Sequence, residues 1–466
     1  MTERVDHLTL PLISNGERET LDVRVVEGIG GPLAEVSQTP QARVYEAIET
    51  ARKVGFEALQ DLPVRELLDR IADAGRRFES IGVDTDTLKP RSVYEDRTAR
   101  STGLPVGWVR VSAHWLGYGL RHAAESLRAQ SPTADLNVYD DPAYKRETTV
   151  GLAFIPRIRV LGAVMPGNDP AVYAWPALAL AMKVPIVLRP SWRDPFTAVR
   201  LARALLAAGI PESAIHVLPG PHDVGETVVR RSDHALLFGS EQAVDNYCDD
   251  PTVEAHGPGR SVAIVTRQPT ERELNTLARG ITRTGGRACY NLTRVVAVED
   301  CDANDLANAL AYRVADTTDG SVVNNETDVP SFLDIGRARR VNERADDAGE
   351  DHTARYRNGS RYTAYDNHVR LAPTILRSSS LVDELPFQFA GISQRDPNHP
   401  RDLLKELDRA YLGVVVGSES YEEAFARSPR IRKVYANTYP PAPDLRETHE
   451  TFLADFCYTT TTYDPS

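Results

Sequence analysis

Cysteine is scarce in this sequence, and long apolar runs are absent. The chain of 466 residues contains four cysteines, at positions 248, 289, 301 and 457. Their spacing matches neither a disulfide framework nor a Cys/His zinc motif, so we expect no disulfide scaffold and no bound metal. No segment offers the roughly 20 consecutive apolar residues that cross a bilayer, and the first residues lack a signal-peptide pattern. These absences predict a cytoplasmic protein without a membrane span.

A surplus of basic residues is also missing. The chain has 54 Lys and Arg residues against 66 Asp and Glu residues, which gives a net charge of -12. Surfaces that bind nucleic acids are normally basic, so we expect no nucleic-acid partner. Hydrophobic residues make up 41% and charged residues 26%, a balance typical of folded globular proteins. A chain of this length exceeds what one hydrophobic core usually holds, so we expect more than one domain.

An α/β alternation begins near residue 158, after a helical N-terminal third. Apolar residues recur at helical spacing between residues 41 and 80, and residues 108–127 are also predicted to be helical. Short apolar strands then alternate with helices, which is typical of a parallel sheet covered on both faces. Ligands collect at the carboxyl ends of the strands in such sheets, so we expect functional residues just after the strands.

Cys289 is the residue best suited to covalent chemistry. It follows Gly285 and Gly286 at a predicted helix-to-strand junction, where glycines let backbone amides approach a small ligand. A thiolate adds readily to a carbonyl carbon and leaves readily, which makes it a good covalent catalyst. The alternative is a buried structural cysteine.

Polar residues follow two predicted strands of the first sheet. Asn168 comes directly after the first strand, and its amide could donate a hydrogen bond to an oxyanion; a simple Asn-Asp-Pro turn is the alternative. Arg189, Ser191 and Arg193 follow the second strand and could contact the ribose or phosphate of a nucleotide. The alternative for these three residues is a solvated loop that caps a helix.

Two further positions suit a nucleotide. Ser240 lies at a predicted helix start, where a pyrophosphate can accept hydrogen bonds, and Gly225 in the preceding helix would permit close packing on a cofactor. No GxGxxG motif follows any strand, so a dinucleotide would not be held by the usual Rossmann fingerprint.

The order and spacing of these segments resemble the aldehyde dehydrogenase superfamily over most of the chain. Six segments match family motifs in order: Pro166–Asn168 for Pro-Trp-Asn, Arg189–Ser191 for Lys-Pro-Ser, Leu237–Ser240 for Phe-Thr-Gly-Ser, Gly286–Cys289 for Gly-Gln-Xaa-Cys, Ala372–Leu376 for Glu-Pro-Thr-Ile-Leu, and Glu384–Phe387 for Glu-Xaa-Phe-Gly-Pro. The resemblance implies an α/β fold with two Rossmann-like domains, one for the cofactor and one for catalysis, and a small oligomerisation arm. It also implies a homodimer or a homotetramer.

The same resemblance assigns domains and roles. Residues 1–266 would hold the helical region and the nicotinamide-cofactor domain, with arm strands near 145–160. Residues 267–430 would form the catalytic domain, and residues 431–466 an oligomerisation tail. Cys289 would be the nucleophile and Asn168 an oxyanion donor. Glu384 would reach the nicotinamide ribose, and the cofactor site would also be lined by Met165, Pro166, Arg189, Ser191, Arg193, Gly225 and Ser240.

One departure from the family pattern affects the predicted reaction. Oxidising members carry a Glu that activates hydrolytic water, in a Glu-Leu-Gly-Gly-Lys motif, and His256 stands at that place here, followed by Gly-Pro-Gly-Arg-Ser. The Gly-Pro-Gly run is similar to the acylating branch of the superfamily and to the fatty acyl-CoA reductases of bacterial bioluminescence systems. We therefore expect reduction of an acyl-CoA, or of an acyl group on a carrier protein, to an aldehyde through a thioacyl-enzyme on Cys289, with His256 as the general acid.

Two alternatives stay open beside this prediction. In the first, the chain oxidises an aldehyde to a carboxylic acid, and His256 is the base that activates water. In the second, the chain is a catalytically inactive, dehydrogenase-like scaffold. A structural role for His256 in a turn is a further interpretation of that residue.

The predicted cofactor is NADPH, with NADH as the alternative. Relatives that prefer NAD carry a Glu three residues after the Lys of the Lys-Pro-Ser motif, and Trp192 occupies that place here, with Arg193 beside it. Loss of the carboxylate removes repulsion of a 2′-phosphate, and a guanidinium can bind such a phosphate bidentately.

Overall fold

The protein is described by a computed structural model. It describes residues 8–80, 90–132, 134–141, 151–315, 321–407, 409–440, 444–447 and 451–463. The helices are α1 (Gln41–Thr50), α2 (Phe56–Gln60), α3 (Val64–Glu79), α4 (Arg91–Thr102), α5 (Val106–Arg121), α6 (Ala123–Gln130), α7 (Ala174–Ala181), α8 (Pro195–Ala207), α9 (His222–Arg231), α10 (Glu241–Asp245), α11 (Glu271–Thr282), α12 (Ala303–Val314), α13 (Ile335–Ala348), α14 (Pro400–Glu406), α15 (Glu419–Ala426) and α16 (Leu453–Cys457).

The strands are short, as expected for alternating α/β units. They are β1 (Thr9–Leu10), β2 (Leu12–Ile13), β3 (Glu17–Arg18), β4 (Val23–Gly28), β5 (Gly31–Ser37), β6 (Gly151–Pro156), β7 (Leu161–Val164), β8 (Ile186–Arg189), β9 (Ile215–Val217), β10 (His234–Phe238), β11 (Val253–His256), β12 (Ser261–Val265), β13 (Leu292–Ala297), β14 (Ser331–Phe332), β15 (Glu350–Asp351), β16 (Tyr362–Ala364), β17 (Val369–Leu371), β18 (Thr374–Arg377), β19 (Phe389–Gln394), β20 (Ala410–Val416), β21 (Ile431–Ala436) and β22 (Tyr458–Tyr463).

The chain divides into two compact units. The first comprises residues 1–101, 109–257 and 443–466, and the second comprises residues 102–108 and 258–442. The break after residue 257 comes before β12, whereas the predicted boundary at residue 266 comes after it. β12 pairs with β13 and β20 in the second sheet. Its uniformly apolar run has the composition of any buried parallel strand, so the sequence does not reveal which sheet it joins.

A sheet in the order β11-β10-β7-β8-β9-β2-β3 forms the centre of the first unit. The strands from β11 to β9 are parallel, and β2 and β3 are antiparallel additions at one edge. β8 is buried along its whole length, because helices of the crossover connections cover a parallel sheet on both faces. The carboxyl ends of β7, β8, β10 and β11 therefore lie at one edge of this sheet.

The predicted punctuation of α8 is confirmed. Asp194 is the N-cap residue, and its Oδ1 accepts a hydrogen bond from the backbone N–H of Thr197 at 3.1 Å. Pro195 begins the helix, and Gly209 just beyond its end has φ +89°, a conformation that glycine adopts without strain.

The second unit contains a sheet in the order β15-β18-β19-β13-β12-β20-β21. The strands from β18 to β21 are parallel, and only β15 at the edge runs antiparallel to its neighbour β18. Two parallel, helix-covered sheets confirm the predicted fold class of two Rossmann-like domains. A smaller sheet, β14-β17-β16, belongs to the same unit.

An antiparallel ribbon in the first unit contains part of the predicted arm and part of the predicted C-terminal tail. β6 pairs with β22 along their full length, from Gly151 opposite Tyr463 to Pro156 opposite Tyr458. The predicted arm residues before 151 lie outside the described residues. Among the helices that the structure describes, none is long and apolar enough to cross a membrane.

Candidate active site

Cys289 follows a tight left-handed turn in the second unit. Thr284, Gly285 and Gly286 have φ values of +48°, +67° and +68°. A Cβ atom at Gly286 would lie 2.5 Å from the Cα of Gln388, so only glycine fits at that position. Cys289 is partly exposed and precedes β13 by three residues, which confirms the predicted helix-to-strand junction.

Asn291 fixes the loop that carries Cys289. Its side chain is buried, its Oδ1 accepts a hydrogen bond from the backbone N–H of Ala288 at 2.8 Å, and its Nδ2 donates to the carbonyl of Arg283 at 2.7 Å. The bonds connect the two sides of the turn around the cysteine. Sequence reasoning missed Asn291, although an amide next to a predicted buried strand is a usable signal because a buried amide needs partners.

The Gly-Pro-Gly-Arg-Ser segment packs directly on the backbone of Cys289. The Oγ of Ser261 donates a hydrogen bond of 2.8 Å to the carbonyl of Cys289 and accepts one of 3.1 Å from the backbone N–H of Leu412. A Cβ atom at Gly259 would lie 1.8 Å from that same carbonyl oxygen. The segment that follows the position of the missing Glu therefore supports the backbone of Cys289. The sequence pattern did not indicate this role.

Glu384 contacts the Gly-Pro-Gly-Arg-Ser segment. Its Oε2 accepts a hydrogen bond of 2.6 Å from the backbone N–H of Arg260. Burial raises the pKa of the Glu384 carboxyl to about 7, although hydrogen bonds from the backbone of Arg260 and Gly259 and the charge of Arg294 act in the opposite direction. A carboxyl group that changes protonation near neutrality thus lies beside the backbone that holds Cys289.

The other three cysteines have different surroundings. Cys301 and Cys457 are buried, and burial raises the pKa of both thiols, that of Cys301 to about 11. Cys248 is exposed, and its Sγ donates to the carbonyl of Asp245. Cys289 alone follows a glycine turn at the start of a buried strand.

The predicted site residues lie at the carboxyl ends of strands in the first unit only. Cys289, Gly259 and Glu384 come before β13, β12 and β19, at the amino ends of strands in the second sheet. The carboxyl-end rule describes where nucleotides bind in open α/β sheets, and it does not fix the position of a nucleophile in a second domain.

In the first unit the turns after β7 and β8 lie against each other. The backbone N–H of Met165 donates to the carbonyl of Arg189 at 2.9 Å, so the bonding between β7 and β8 extends to Met165. A Cβ atom at Gly167 would lie 2.6 Å from the Oγ of Ser191 and 3.3 Å from the Cβ of Arg193. The structure thus brings these predicted cofactor residues together.

Arg189 and Gly225 also meet in the first unit. A Cβ atom at Gly225, in α9, would lie 3.6 Å from the Nε of Arg189. The Arg189 guanidinium is buried and donates from Nε and Nη2 to the carbonyl of Gly220 at 3.1 and 2.7 Å. Burial lowers the pKa of Arg189, and the nearby positive charge of Arg24 lowers it further.

Asn168 and Ser240 occupy the same edge of the first sheet. Asn168 is partly exposed, and its neighbour Asp169 is the residue that caps the following turn, accepting from the backbone N–H of Ala171 at 2.9 Å. Residues 168–170 thus form the Asn-Asp-Pro turn of the alternative interpretation, with Asp169 as its cap. Ser240 is exposed and caps α10, accepting from the backbone N–H of Ala243 at 3.4 Å.

His256 ends β11 inside an aromatic enclosure. Its ring stacks on Phe238 at a centroid distance of 4.7 Å and meets Trp175 edge-on at 4.9 Å. The residue is 4% exposed, and its Nε2 lies 4.0 Å from the Oε1 of Glu254. His256 belongs to a strand and not to a turn. A structural role for this residue would therefore be packing within the aromatic cluster.

Comparison with known proteins identifies a family for this chain. A model of the aldehyde dehydrogenase family matches residues 17–385. The NADP/NAD-dependent aldehyde dehydrogenase PuuC of Escherichia coli (strain K12) is 24% identical over 329 residues, which cover 66% of this chain and 62% of that protein. Malonate-semialdehyde dehydrogenase 2 of Bacillus mycoides (strain KBAB4) is 29% identical over 177 residues, 35% of this chain and 36% of that protein. The matches thus span less than two thirds of these relatives.

Solved structures extend the likeness to the whole fold. The crystal structure of gamma-glutamyl-gamma-aminobutyraldehyde dehydrogenase from Burkholderia cenocepacia J2315 superimposes with a TM-score of 0.78 and covers 99% of this chain and 96% of that one, at 17% identity. The family match covers most of the sequence, and the fold match covers nearly all of it. The chain therefore belongs to the aldehyde dehydrogenase family.

Proposed function

We propose that this protein oxidises an aldehyde to a carboxylic acid with a nicotinamide cofactor, through a thio-adduct on Cys289. The observation that carries the proposal is the construction of the Cys289 loop. A glycine turn, the amide of Asn291 and the hydroxyl of Ser261 hold the backbone on both sides of a partly exposed thiol. Two relatives are named as dehydrogenases of aldehydes or semialdehydes, which favours oxidation over the acyl-thioester reduction that the sequence alone put first.

The thiolate of Cys289 supplies the nucleophile in this proposal. Its sulfur forms a bond to the aldehyde carbon, and the electron pair of the C=O bond moves to oxygen. The side-chain amide of Asn168 donates a hydrogen bond to that oxyanion. When the C–H hydride departs, the C=O bond forms again and a thioester remains. Water then adds to the thioester, the C–S bond breaks, and the acid leaves while the thiolate is restored.

The residues of the first unit fit an anionic nucleotide. Gly167 lets the turn after β7 approach Ser191 closely, and Gly225 leaves space beside Arg189. Arg189 and Arg193 provide positive charge at the same edge. A nicotinamide cofactor, when bound, accepts the hydride. We propose Met165, Pro166, Ser191 and Ser240 as further cofactor contacts, with Glu384 toward the nicotinamide ribose, and NADP(H) as the preferred form.

His256 is proposed as the base that removes a proton from the hydrolytic water. A neutral imidazole nitrogen can accept a proton and can therefore take this role. The ring is held in one orientation between Phe238 and Trp175. The ring nitrogen that would accept the proton is therefore held in a fixed position.

A second candidate function is reduction of an acyl thioester, either acyl-CoA or a carrier-bound acyl group. The specific observation in its favour is the enclosure of residue 256 by aromatic rings, where oxidising members carry a carboxylate. If no base activates water, the thioacyl-enzyme survives long enough to exchange with a thiol. For assembly, we propose a homodimer or homotetramer formed through the β6–β22 ribbon.

The test compares both reactions on the purified full chain. We expect an aldehyde with oxidised cofactor to give reduced cofactor and carboxylic acid in equal amounts. Cys289→Ala should abolish both products, while Cys248→Ala, which changes an exposed thiol, should leave them unchanged. Asn168→Ala should slow turnover by about 10²–10³. Release of aldehyde and free CoA from acyl-CoA and reduced cofactor, without acid formation from aldehyde, would replace oxidation with acyl-thioester reduction.

A further inference from the structure

We infer that Arg24 is a specificity-determining residue of the cofactor site, and that with Arg193 it binds a phosphomonoester on the adenosine ribose of a nucleotide. The inference rests on the proposed function, since it requires a nucleotide at the carboxyl edge of the first sheet. Arg24 lies on β4, far in sequence from every residue so far assigned to that edge. No sequence motif pointed to it.

Arg24 and Arg193 stack on the same indole ring. The Cζ atom of each lies 4.8 Å from the ring centroid of Trp192, within the distance at which a guanidinium is attracted by an aromatic face. Trp192 is 38% exposed, so the three side chains form a surface feature open to a ligand. A guanidinium over an aromatic face keeps its N–H donors in its own plane, and Arg24 is exposed to solvent.

The location of this cluster ties it to the cofactor edge. Arg193 belongs to the loop after β8, whose Ser191 lies against Gly167 of the turn after β7. Trp192 stands where the family resemblance places the carboxylate that grips the ribose hydroxyls in NAD-preferring relatives. Arg24 therefore adds a cation at the part of the site that reads the adenosine ribose.

The charges at this edge are unbalanced. Arg24 contributes to the lowered pKa of the buried Arg189, as expected for like charges held close together, while Asp223 acts in the opposite direction. No carboxylate within the described residues forms an ion pair with Arg24. An anion bound at the cluster would relieve the repulsion, and a phosphomonoester matches the fork geometry of a guanidinium.

A folded element positions Arg24. β4 pairs with β5, with Arg24 opposite Val36, and β5 pairs with β1. The turn between β4 and β5 is tied to α4, because the backbone N–H of Ile29 donates to the carbonyl of Arg100 and the Arg100 Nη1 donates to the carbonyl of Ile29. The guanidinium is thus presented by a sheet and not by a loose terminus.

Two nucleotides carry a phosphomonoester on the adenosine ribose. NADP(H) has its phosphomonoester on the ribose 2′-oxygen, and coenzyme A has one on the 3′-oxygen. Adenosine 2′,5′-bisphosphate and adenosine 3′,5′-bisphosphate separate these sources, and 5′-AMP lacks the second phosphate. All three probes can be titrated calorimetrically into the full chain without any turnover.

The test compares wild type with Arg24→Ala, and uses Arg76→Ala, an exposed arginine on α3, as the matched control. We expect Arg24→Ala to weaken binding of one bisphosphate roughly tenfold or more and binding of 5′-AMP less than twofold. The bisphosphate that loses affinity identifies the source as NADP(H) or coenzyme A. Arg76→Ala should leave every affinity unchanged, and thermal unfolding should show that Arg24→Ala is folded.

Three results would overturn the inference: equal weakening of 5′-AMP and both bisphosphates by Arg24→Ala, no weakening of either bisphosphate, or no binding of any probe to wild type. The proposed function fails separately, through absence of turnover with aldehydes. A phosphate-selective loss in Arg24→Ala on a protein without aldehyde turnover would keep the inference and remove only the reaction.

Discussion

Glu384 accepts a 2.6 Å hydrogen bond from the backbone N–H of Arg260. Arg260 has φ +48°, a left-handed conformation that costs free energy in a residue with a side chain. The adjoining Gly259 packs against the carbonyl of Cys289. The carboxyl group therefore stabilises a strained segment on which the nucleophile rests, in addition to any contact it makes with a cofactor.

Burial of the Glu384 carboxyl predicts a pH dependence of stability that Glu384→Gln removes. The pKa of Glu384 is about 7 in the folded chain against 4.5 for an ordinary Glu. Below 4.5 the side chain is protonated in both states. Between 4.5 and 7 the unfolded chain releases the proton and the folded chain keeps it, so the contribution to stability is lost as pH rises through 7. We expect wild type to lose up to about 3 kcal/mol from this group across that window.

Urea unfolding at pH 5 and pH 8 measures the effect. Glu384→Gln should show a smaller difference between the two pH values than wild type does. Asp383→Asn changes the adjacent side chain, which is 78% exposed, and should behave as wild type. An unchanged pH dependence in Glu384→Gln would show that the carboxyl titrates alike in both states.

Gly259→Ala should damage catalysis without affecting nucleotide binding. The added Cβ would lie 1.8 Å from the carbonyl oxygen of Cys289, so the backbone of the nucleophile must shift. Misplacement of a reacting group by about 1 Å costs on the order of 10²-fold in rate. Steady-state turnover should fall by that amount, while calorimetric binding of the cofactor stays within twofold of wild type.

Gly336→Ala is the matched control for that variant, because its nearest atoms lie at 3.4 Å and it belongs to α13. It should keep full turnover. Full activity in Gly259→Ala would mean that the Gly-Pro-Gly segment does not constrain Cys289, and would remove the structural basis for the proposed nucleophile geometry.

His256→Asn should separate hydride transfer from hydrolysis. If His256 removes the proton from water, its loss slows acid release by about 10²–10⁴ and leaves the first turnover intact. Rapid mixing with aldehyde and oxidised cofactor should then show a burst of reduced cofactor equal to the enzyme concentration, followed by slow turnover. His234→Asn, at a buried histidine bonded to the carbonyl of Phe456, should show no such burst. If both the burst of reduced cofactor and the steady-state turnover are lost, His256 packs between the rings and is not the base.

Sequence patterns predicted which residues meet at the sheet edge of the first unit better than they predicted the contacts around Cys289. Asn168, Arg189 and Ser191 follow parallel strands, and the pairing of those strands brings the residues to one edge, so local pattern is enough. Ser261 and Arg24 are positioned by contacts between segments far apart in sequence, 28 residues for Ser261 with Cys289. A buried serine at a strand start and an arginine in an exposed hairpin carry no local signal of such partners.

The same limit applies to the boundary between units and to Glu384. β12 looks like any buried strand until its partners are known, and Glu384 was assigned from a motif to the nicotinamide ribose while its backbone contact with Arg260 was invisible. The position of Cys289 at a helix-to-strand junction was predictable because Gly285 and Gly286 precede it in the sequence. The residues that hold it in place were not predictable, because hydroxyls and amides serve in many buried positions.

Gly225→Ala should stabilise the fold and weaken cofactor binding at once. Gly225 lies inside α9, and the nearest atoms to an added Cβ are 3.6 Å away at Arg189 and Val164, which is ordinary van der Waals contact. Alanine is favoured over glycine within a helix by about 0.5–1 kcal/mol, so the free energy of unfolding should rise by that amount. The same methyl group occupies space beside the Arg189 guanidinium where the nucleotide is proposed to lie, so its dissociation constant should increase several-fold. Calorimetric titration with NADP⁺, alongside urea unfolding of both proteins, measures the two effects. If Gly225→Ala is more stable than wild type and binds NADP⁺ equally tightly, the nucleotide lies away from α9.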